Sequence, residues 1–162
     1  MKRNLIFLII LLFTFSGSLS YAQTYQKTDR GVRSIINSIE VEIQFYNPST
    51  VRVLKSPQGK TFEKESLSVI ETPQKTDFTI KQEADVLFLK SENIQVNLNL
   101  KNGKISFSTP KGKTLLNEKI DGVAFTDFND AGIKTYSIYQ SFVLDKDEAI
   151  YGLGEQQQGK MI

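Results

Sequence analysis

The side chains that could do chemistry in this sequence are restricted to a few types. The chain contains no histidine, no cysteine and no tryptophan. Without histidine and cysteine there can be no histidine-based nucleophilic triad, no usual zinc site and no disulfide framework. General acid or base chemistry would therefore have to come from carboxylates, lysine or tyrosine.

One acidic group near the C-terminus is a candidate for such chemistry. Asp145, Asp147 and Glu148 lie close together in the sequence, beside Lys146. A retaining glycosidase needs two carboxyl groups about 5 to 5.5 Å apart, and an inverting enzyme needs a wider gap. Neighbours within a turn rarely meet either requirement, because adjacent strand residues point to opposite faces and turn residues face the solvent. The sequence predicts a solvated turn at this position.

A second acidic group, Asp127–Gly132, resembles part of a calcium-binding loop. Its Asp and Asn residues could supply oxygen ligands, but Ala131 occupies a ligand position and Ile138 stands where a bidentate acid is required. The alternative is a solvated turn, since Asp, Asn and Gly are the residues that turns require. The turn is the favoured interpretation, and neither a metal ion nor another cofactor is predicted for the chain.

Three tyrosines could stack on sugars. An aromatic ring offers apolar area together with a hydroxyl group, which makes Tyr46, Tyr139 and Tyr151 candidates. For each of them, packing in the core or at its rim is the alternative, and it is the favoured one. The absence of tryptophan argues against an independent carbohydrate-binding function.

Residues 1–22 have the order of a signal peptide. Lys2 and Arg3 precede an unbroken apolar run, Leu5–Phe13, and small and polar residues follow up to Ala22. The apolar run is shorter than the roughly 20 residues needed to cross a bilayer. The sequence therefore predicts export with cleavage after Ala22, no permanent membrane anchor, and a periplasmic or extracellular location.

The charge balance excludes a nucleic-acid partner. The chain has 20 basic and 18 acidic residues, and two of the basic residues lie in the leader, so the mature chain has a net charge of about zero. Basic and acidic residues alternate throughout, whereas phosphate backbones require a clustered basic surface. About 140 residues remain after cleavage, which is the size of one ordinary domain.

The mature chain opens with a polar stretch and then alternates. Residues 23–34 are interpreted as a polar lead-in, and order is expected to begin near Ile35. From Ile39 to Tyr46, apolar residues alternate with polar ones, the period of two that places one face of a strand in a core. Residues 47–50 then break the strand, and the β-branched run Val51–Leu54 completes a hairpin.

The same pattern repeats downstream. Apolar and polar residues alternate from Ile94 to Lys101, and Asn102 and Gly103 separate this run from Ile105 and Phe107. Asn-Gly between alternating strands predicts a type I′ hairpin, with a positive φ at both turn residues. The other strand candidates lie around Leu67 and Val69, around Phe78 and Ile80, and at Val86–Leu89, Leu115–Leu116, Tyr136–Val143 and Ile150–Leu153, with turns at Glu83–Asp85, Pro110–Gly112 and Asp145–Glu148.

These elements predict an all-β fold. About nine or ten short strands are joined by turns rich in Gly, Pro, Asn and Asp, and the mature chain shows no helical period. Segments such as Val86–Leu89 are apolar on both faces, as expected for strands between two packed layers. An antiparallel β-sandwich over residues 35–162 is therefore favoured over a barrel.

Four segments carry a resemblance to a known family. The run Asp147–Glu155 (DEAIYGLGE) resembles the end of the N-terminal sandwich in glycoside hydrolase family 31. Val41–Val53, with its Val-Arg-Val run, resembles the opening strands of that domain. Gly103–Glu118, which ends in Gly-x-x-Leu-Leu-x-Glu, and Gln140–Phe142 match later segments in order and spacing. The continuation Gln156–Met161 is similar to bacterial members that act as α-xylosidases or related α-glucosidases.

The resemblance implies a galactose-mutarotase-like sandwich of the supersandwich type, packed against a (β/α)₈ catalytic barrel in a retaining enzyme that acts on oligosaccharides. Both catalytic aspartates of the family belong to the barrel, which this chain does not reach, so the chain is expected to be inactive by itself. The resemblance also implies that the segment after the last strand lies at the domain junction or on the rim of the sugar pocket. Its residues are Tyr151, Gly152, Leu153, Gly154, Glu155 and Gln156.

Two other classes of function remain open from the sequence. The chain could be a free-standing carbohydrate-binding or adhesion sandwich, or it could be a purely structural module. A domain that normally packs on a barrel would have an apolar interface face, which should make the isolated chain prone to association. Glycan binding by the isolated domain would favour the first of these two classes.

Overall fold

The computed structural model describes residues 25–60 and 69–148, and all regular structure in these two ranges is β-strand. The predicted all-β class is therefore confirmed. The strands are β1 (Tyr25–Thr28), β2 (Gly31–Ile36), β3 (Ile39–Asn47), β4 (Thr50–Pro57), β5 (Thr79–Glu83), β6 (Val86–Lys90), β7 (Gln95–Asn99), β8 (Ile105–Ser108), β9 (Thr114–Asp130) and β10 (Ile133–Val143).

The strands form two antiparallel sheets, as predicted for a sandwich. The first sheet has the order β1-β2-β3-β4, and the second has the order β10-β9-β8-β7-β6-β5. Within each sheet, every strand pairs with its neighbours in sequence, so the chain forms two successive meanders. This up-and-down order requires only short turns between strands.

The core lies between the two sheets and follows the period of two seen in the sequence. Val41, Ile43 and Phe45 of β3 face Leu87, Leu89, Val96 and Leu98 of the second sheet, and all are buried. Burial of an aliphatic or aromatic side chain of this kind contributes about 1.5–3 kcal/mol. The buried cluster consists of Val32, Ile36, Val41, Ile43, Phe45, Leu87, Leu89, Val96, Leu98 and Ile105.

The hairpin predicted after β3 is confirmed. Phe45 pairs with Val51 and Asn47 pairs with Thr50, with a shift of register between the two pairs. The Asn47 side-chain oxygen accepts a hydrogen bond from the backbone N–H of Ser49 at 2.8 Å. This local bond explains why Asn precedes the turn, because it satisfies a backbone donor that leaves the ladder.

The prediction of a polar lead-in over residues 23–34 is wrong for the part that the structure describes. Strands β1 and β2 lie there, and β2 buries Val32, Ser34 and Ile36 on one face. A buried serine in the middle of that face hides the apolar period from the sequence. The strand also begins at Gly31, where a Cβ atom would collide with the backbone carbonyl of Ile43. Only glycine permits this close approach between β2 and β3.

The hairpin at Asn102 and Gly103 forms, but its predicted turn type is wrong. Leu98 pairs with Ile105, and the Asn99 N–H donates to the Lys104 carbonyl, so the loop has four residues instead of two. Among the loop residues, a positive φ occurs at Gly103 alone. The Asn99 side chain accepts hydrogen bonds from two loop N–H groups, which stabilises the longer loop in place of the two-residue turn.

The strand predicted around Leu67 and Val69 is not found in the part that the structure describes. Val69 lies outside any strand, and Leu67 lies outside the described residues. The predicted turns at Glu83–Asp85 and Pro110–Gly112 are present, with positive φ at Ala84 and Gly112. Over the described ranges, no helix is long and apolar enough to cross a membrane.

Candidate functional site: the exit hairpin and the buried ion pair at its root

The longest strands of the structure form a hairpin that extends past the rest of its sheet. β8 pairs with β9 as far as Asn117, and beyond this point β9 pairs with β10 among the described residues. The paired segment runs from Val123↔Gln140 to Asp130↔Ile133, and we call residues 123–140 the exit hairpin. At its tip, Ala131 and Gly132 both have a positive φ, as a type I′ turn requires.

The root of the exit hairpin is shaped by a bulge in β9. Residues 119–122 lie opposite Ser141 alone, and Asp121 has a positive φ of 54°. A Cβ atom at Gly122 would lie 2.7 Å from the Lys119 carbonyl oxygen and 2.8 Å from that of Ser141. The bulge therefore requires glycine at this position, and it redirects the hairpin relative to the sheet.

A buried ion pair lies beside this bulge. The Lys55 ammonium, on β4 of the first sheet, lies 2.6 Å from Oε2 of Glu118, on β9 of the second sheet. The two side chains are 9% and 3% exposed. Charges this deeply buried require a partner, because desolvation strongly disfavours an unpaired charge. The pair therefore links the two sheets at one defined point.

The remaining hydrogen-bonding capacity of the ion pair is also used. Glu118 Oε2 accepts a bond from the Ile105 backbone N–H at 2.8 Å, and Oε1 accepts one from the Gln140 amide at 3.2 Å. Lys55 also donates to the Gly103 carbonyl at 2.9 Å. One carboxylate thus contacts β4, β8 and β10, which fixes the direction in which the exit hairpin leaves the sheet.

One face of the exit hairpin continues the core face of the second sheet, and the other does not. Residues that lie directly opposite each other in a ladder share a face, so Ile138 lies with Phe125 and Gln140 lies with Val123. We call this the inner face, because Gln140 on it reaches the buried Glu118. The outer face carries Tyr139. The inner face is therefore the core face of the second sheet, continued past the end of the first sheet.

Exposed apolar side chains concentrate in this part of the molecule. Among the described residues, nine of the twelve large apolar side chains that face the solvent lie between positions 115 and 144. Ile138, on the inner face, is 68% exposed. A concentration of this kind marks an interaction surface. The nine are Leu115, Ile120, Phe128, Ile133, Ile138, Tyr139, Phe142, Val143 and Leu144.

The site residues predicted from the sequence lie largely outside the described ranges. This applies to Tyr151 and to the rest of the segment up to Gln156, whose role stays a prediction. Of the other two tyrosines considered for sugar stacking, Tyr46 is buried and accepts a hydrogen bond from Arg52, so its core role is confirmed. Tyr139 is half exposed on the outer face.

The first acidic group, at Asp145–Glu148, is a turn, as favoured. In the second group only Ala131 and Gly132 form the turn, and Asp127, Asn129 and Asp130 lie in β9, because the strand continues further than the sequence suggested. In the first, the Glu148 N–H donates to the Asp145 carbonyl, and the Glu148 carboxylate accepts from the Asp145 N–H, each at 3.0 Å. In the second, Asn129 Oδ1 accepts from the Gly132 N–H at 2.7 Å. Across residues 25–60 and 69–148, no group of three His, Cys, Asp or Glu side chains is placed to hold a metal ion.

The sequence does not predict the buried ion pair. Glu118 is the last residue of the Gly-x-x-Leu-Leu-x-Glu segment, but a charged residue within a strand is normally assigned to the solvent face. The useful signal was its position between the apolar residues Leu116 and Ile120. Lys55 gave no signal, because its partner is 63 residues away in the sequence.

Comparison with known proteins identifies relatives of the whole domain. A family model described as the glycosyl hydrolase 31 N-terminal galactose mutarotase-like domain matches residues 40–161. An α-xylosidase of Saccharolobus solfataricus is 30% identical over 127 residues, which cover 76% of this chain and 17% of that protein. An α-glucosidase 2 of Bacillus thermoamyloliquefaciens is 27% identical over 121 residues, which cover 72% of this chain and 14% of that protein.

Solved structures of family 31 enzymes are also similar to this chain. The crystal structure of a family 31 α-xylosidase from Xanthomonas citri matches 83% of this chain with a TM-score of 0.75 and 28% identity. A family 31 α-xylosidase from a soil metagenome, solved with xylose, shares the fold over 59% of the chain, with a TM-score of 0.51 and 18% identity. The chain spans about one sixth of the length of these relatives.

Proposed function

Because the chain belongs to the glycosyl hydrolase 31 N-terminal galactose mutarotase-like family, we propose that it is the non-catalytic N-terminal domain of an exported, retaining α-glycoside hydrolase. The family match over residues 40–161 carries this proposal. The names of the relatives support an enzyme of the α-xylosidase or α-glucosidase type, which acts on oligosaccharides. The relatives are several times longer than this chain, which supports a catalytic domain elsewhere in the longer protein.

In this proposal, the exit hairpin is the part of the domain that packs on the catalytic barrel. Its inner face continues the core face of the second sheet but lies beyond the cover of the first sheet. Val123, Phe125 and Ile138 form the apolar part of this face, and they are stabilised when another domain covers them. The Glu118 carboxylate sets the direction of the hairpin, so it also sets the position of the docking face.

We expect activity to require more than this domain. A product of the same reading frame that includes a barrel is expected to hydrolyse p-nitrophenyl α-D-xylopyranoside or the corresponding glucoside, and the 162-residue chain is expected to hydrolyse neither. Release of p-nitrophenol measures both. Hydrolysis by the 162-residue chain would contradict the assignment, since it would place the catalytic groups among its own carboxylates.

A variant in the longer protein tests the docking face. Ile138→Asp is expected to lower its thermal unfolding temperature and to leave that of the 162-residue chain nearly unchanged, because the new charge is buried only when the domains are docked. Ile35→Asp is the matched control, since Ile35 is also exposed but lies on the first sheet. Equal shifts for Ile138→Asp in the two proteins would rule out the hairpin as the junction.

The proposed export rests on the order of residues 1–22. The secreted protein is expected to begin at Gln23, which intact-mass spectrometry of protein purified from the periplasm or the medium would measure. A mature protein that retains the leader and stays with the membrane fraction would contradict the proposal.

A further inference from the structure

A cleft lies at the tip of the exit hairpin, facing the end of β4. Its volume is about 380 Å³, which is within the range of small-molecule sites. We call it the tip cleft. It is lined by Lys60, Asp127, Phe128, Asn129, Lys134, Thr135 and Tyr136.

The register of the hairpin places four of these side chains together. Asp127 lies directly opposite Tyr136, and Asn129 lies directly opposite Lys134, so all four share the inner face. The Tyr136 ring contacts the Phe125 ring edge to face, with centroids 6.2 Å apart and an interplanar angle of 86°. This contact favours one orientation of the Tyr136 ring beside the polar groups.

The polar groups of the tip cleft are available to a ligand. Within the described residues, the Asp127 carboxylate, the Lys134 ammonium and the Tyr136 hydroxyl have no hydrogen-bond or ion-pair partner. Asn129 uses its side-chain oxygen to accept from Gly132, which leaves the two N–H donors of its amide free. The cleft therefore offers an oriented aromatic ring, one acceptor carboxylate and several donors.

We propose that the tip cleft binds one pyranose unit of a saccharide. A pyranose has an apolar C–H face, which an aromatic ring can cover, and a rim of hydroxyls that both donate and accept hydrogen bonds. The Tyr136 ring covers the C–H face, Asp127 accepts from hydroxyls, and Lys134 and Asn129 donate to them.

This inference rests on the proposed function, and it adds a sugar contact within the N-terminal domain. Four of the residues that line the tip cleft lie on the inner face, beyond the apolar residues that we propose to dock. The cleft would therefore open beside the catalytic domain and hold a sugar unit remote from the bond that is cleaved.

Saccharide titrations of the secreted chain test the inference. D-Xylose, methyl α-D-xylopyranoside and maltotriose are titrated separately, and NMR chemical-shift changes of the ¹⁵N-labelled chain are followed. At least one of them is expected to bind with a Kd in the millimolar range and to shift the amides of the hairpin tip. Tyr136→Ala is expected to weaken that binding about tenfold. Tyr136→Phe should retain most of it, because the ring remains.

Tyr139→Ala is the matched control, since Tyr139 lies on the same strand but on the outer face. It should leave the Kd unchanged, whereas Asp127→Asn should raise it severalfold. Because Asp127 is exposed, this variant keeps the test valid even if Tyr136→Ala is poorly folded. The absence of shifts with all three saccharides would overturn the inference, as would equal losses from Tyr136→Ala and Tyr139→Ala.

The failure of this inference can be distinguished from failure of the proposed function. If the longer protein hydrolyses α-glycosides but the tip cleft binds no sugar, the inference is overturned and the assignment as an N-terminal glycosidase domain stands. If the cleft binds sugar but no product of the frame hydrolyses a glycoside, the binding site is supported without the enzyme.

Discussion

Replacing Glu118 with alanine is expected to lower the free energy of unfolding by about 3–5 kcal/mol, because it leaves the buried Lys55 ammonium without its counter-charge. The substitution also removes the acceptor of the buried Ile105 N–H and of the Gln140 amide. Urea-induced unfolding of the wild-type chain and the variant, followed by circular dichroism, measures the difference.

An exposed ion pair in the same molecule provides the control. Arg33 lies 3.1 Å from Glu40 and 3.3 Å from Glu42, but its side chain is 49% exposed, so Arg33→Ala is expected to change stability by less than about 1 kcal/mol. If Glu118→Ala has no larger effect than Arg33→Ala, the Lys55–Glu118 pair is solvated in solution and does not fix the hairpin.

A double replacement distinguishes the effect of the two charges from the effect of the volume that the two side chains fill. Lys55→Met combined with Glu118→Leu is expected to recover most of the lost stability, since apolar residues of similar volume often replace buried ion pairs without loss. Recovery should be incomplete by about 1–3 kcal/mol, because the Ile105 N–H keeps no acceptor. The ion pair would then be understood as a device that orients the exit hairpin, and less as a source of stability.

The parts of the fold that the sequence predicts well share one physical feature. In β3 and β7, apolar and polar residues alternate over at least five positions, and the apolar set lies in the core. A period of two is visible in sequence whenever one face is apolar throughout. The strands and the sandwich class followed from this pattern.

The features that the sequence did not predict depend on partners that are distant along the chain. Ser34 is buried in the middle of β2 because the neighbouring strands enclose it, and Gly31 is required because β3 approaches it closely. The four-residue loop that ends at Gly103 depends on the Asn99 side chain, which competes with the two-residue turn. Each of these is a tertiary or side-chain effect that overrides a local preference.

The sequence predicts that the domain has an apolar interface face, but it does not predict where that face lies. An apolar interface face was expected near the chain exit, and the predicted junction segment Tyr151–Gln156 lies outside the described residues. The structure instead shows an apolar surface on β9 and β10. Its position could not be read from the sequence, because whether Ile138 is core or surface depends on where the first sheet ends.

Replacing Phe45 with alanine is expected to lower the free energy of unfolding by about 3–5 kcal/mol. Phe45 is fully buried near the C-terminal end of β3, and its ring stacks on that of Phe78, with centroids 5.1 Å apart. Phe78 precedes β5, at the edge of the second sheet, so this contact joins the first sheet to that edge. The loss therefore combines a large cavity with a lost aromatic contact between the sheets.

Phe128→Ala removes the same side chain from the exit hairpin, where it is 54% exposed, and is expected to change stability by less than about 0.5 kcal/mol. Chemical unfolding of both variants measures the contrast. Similar losses for Phe45→Ala and Phe128→Ala would show that the hairpin is packed against other parts of the isolated chain. Phe128 lies on the outer face of the exit hairpin, so this comparison measures the burial of Phe45 in the core, and the inner face is tested by Ile138→Asp.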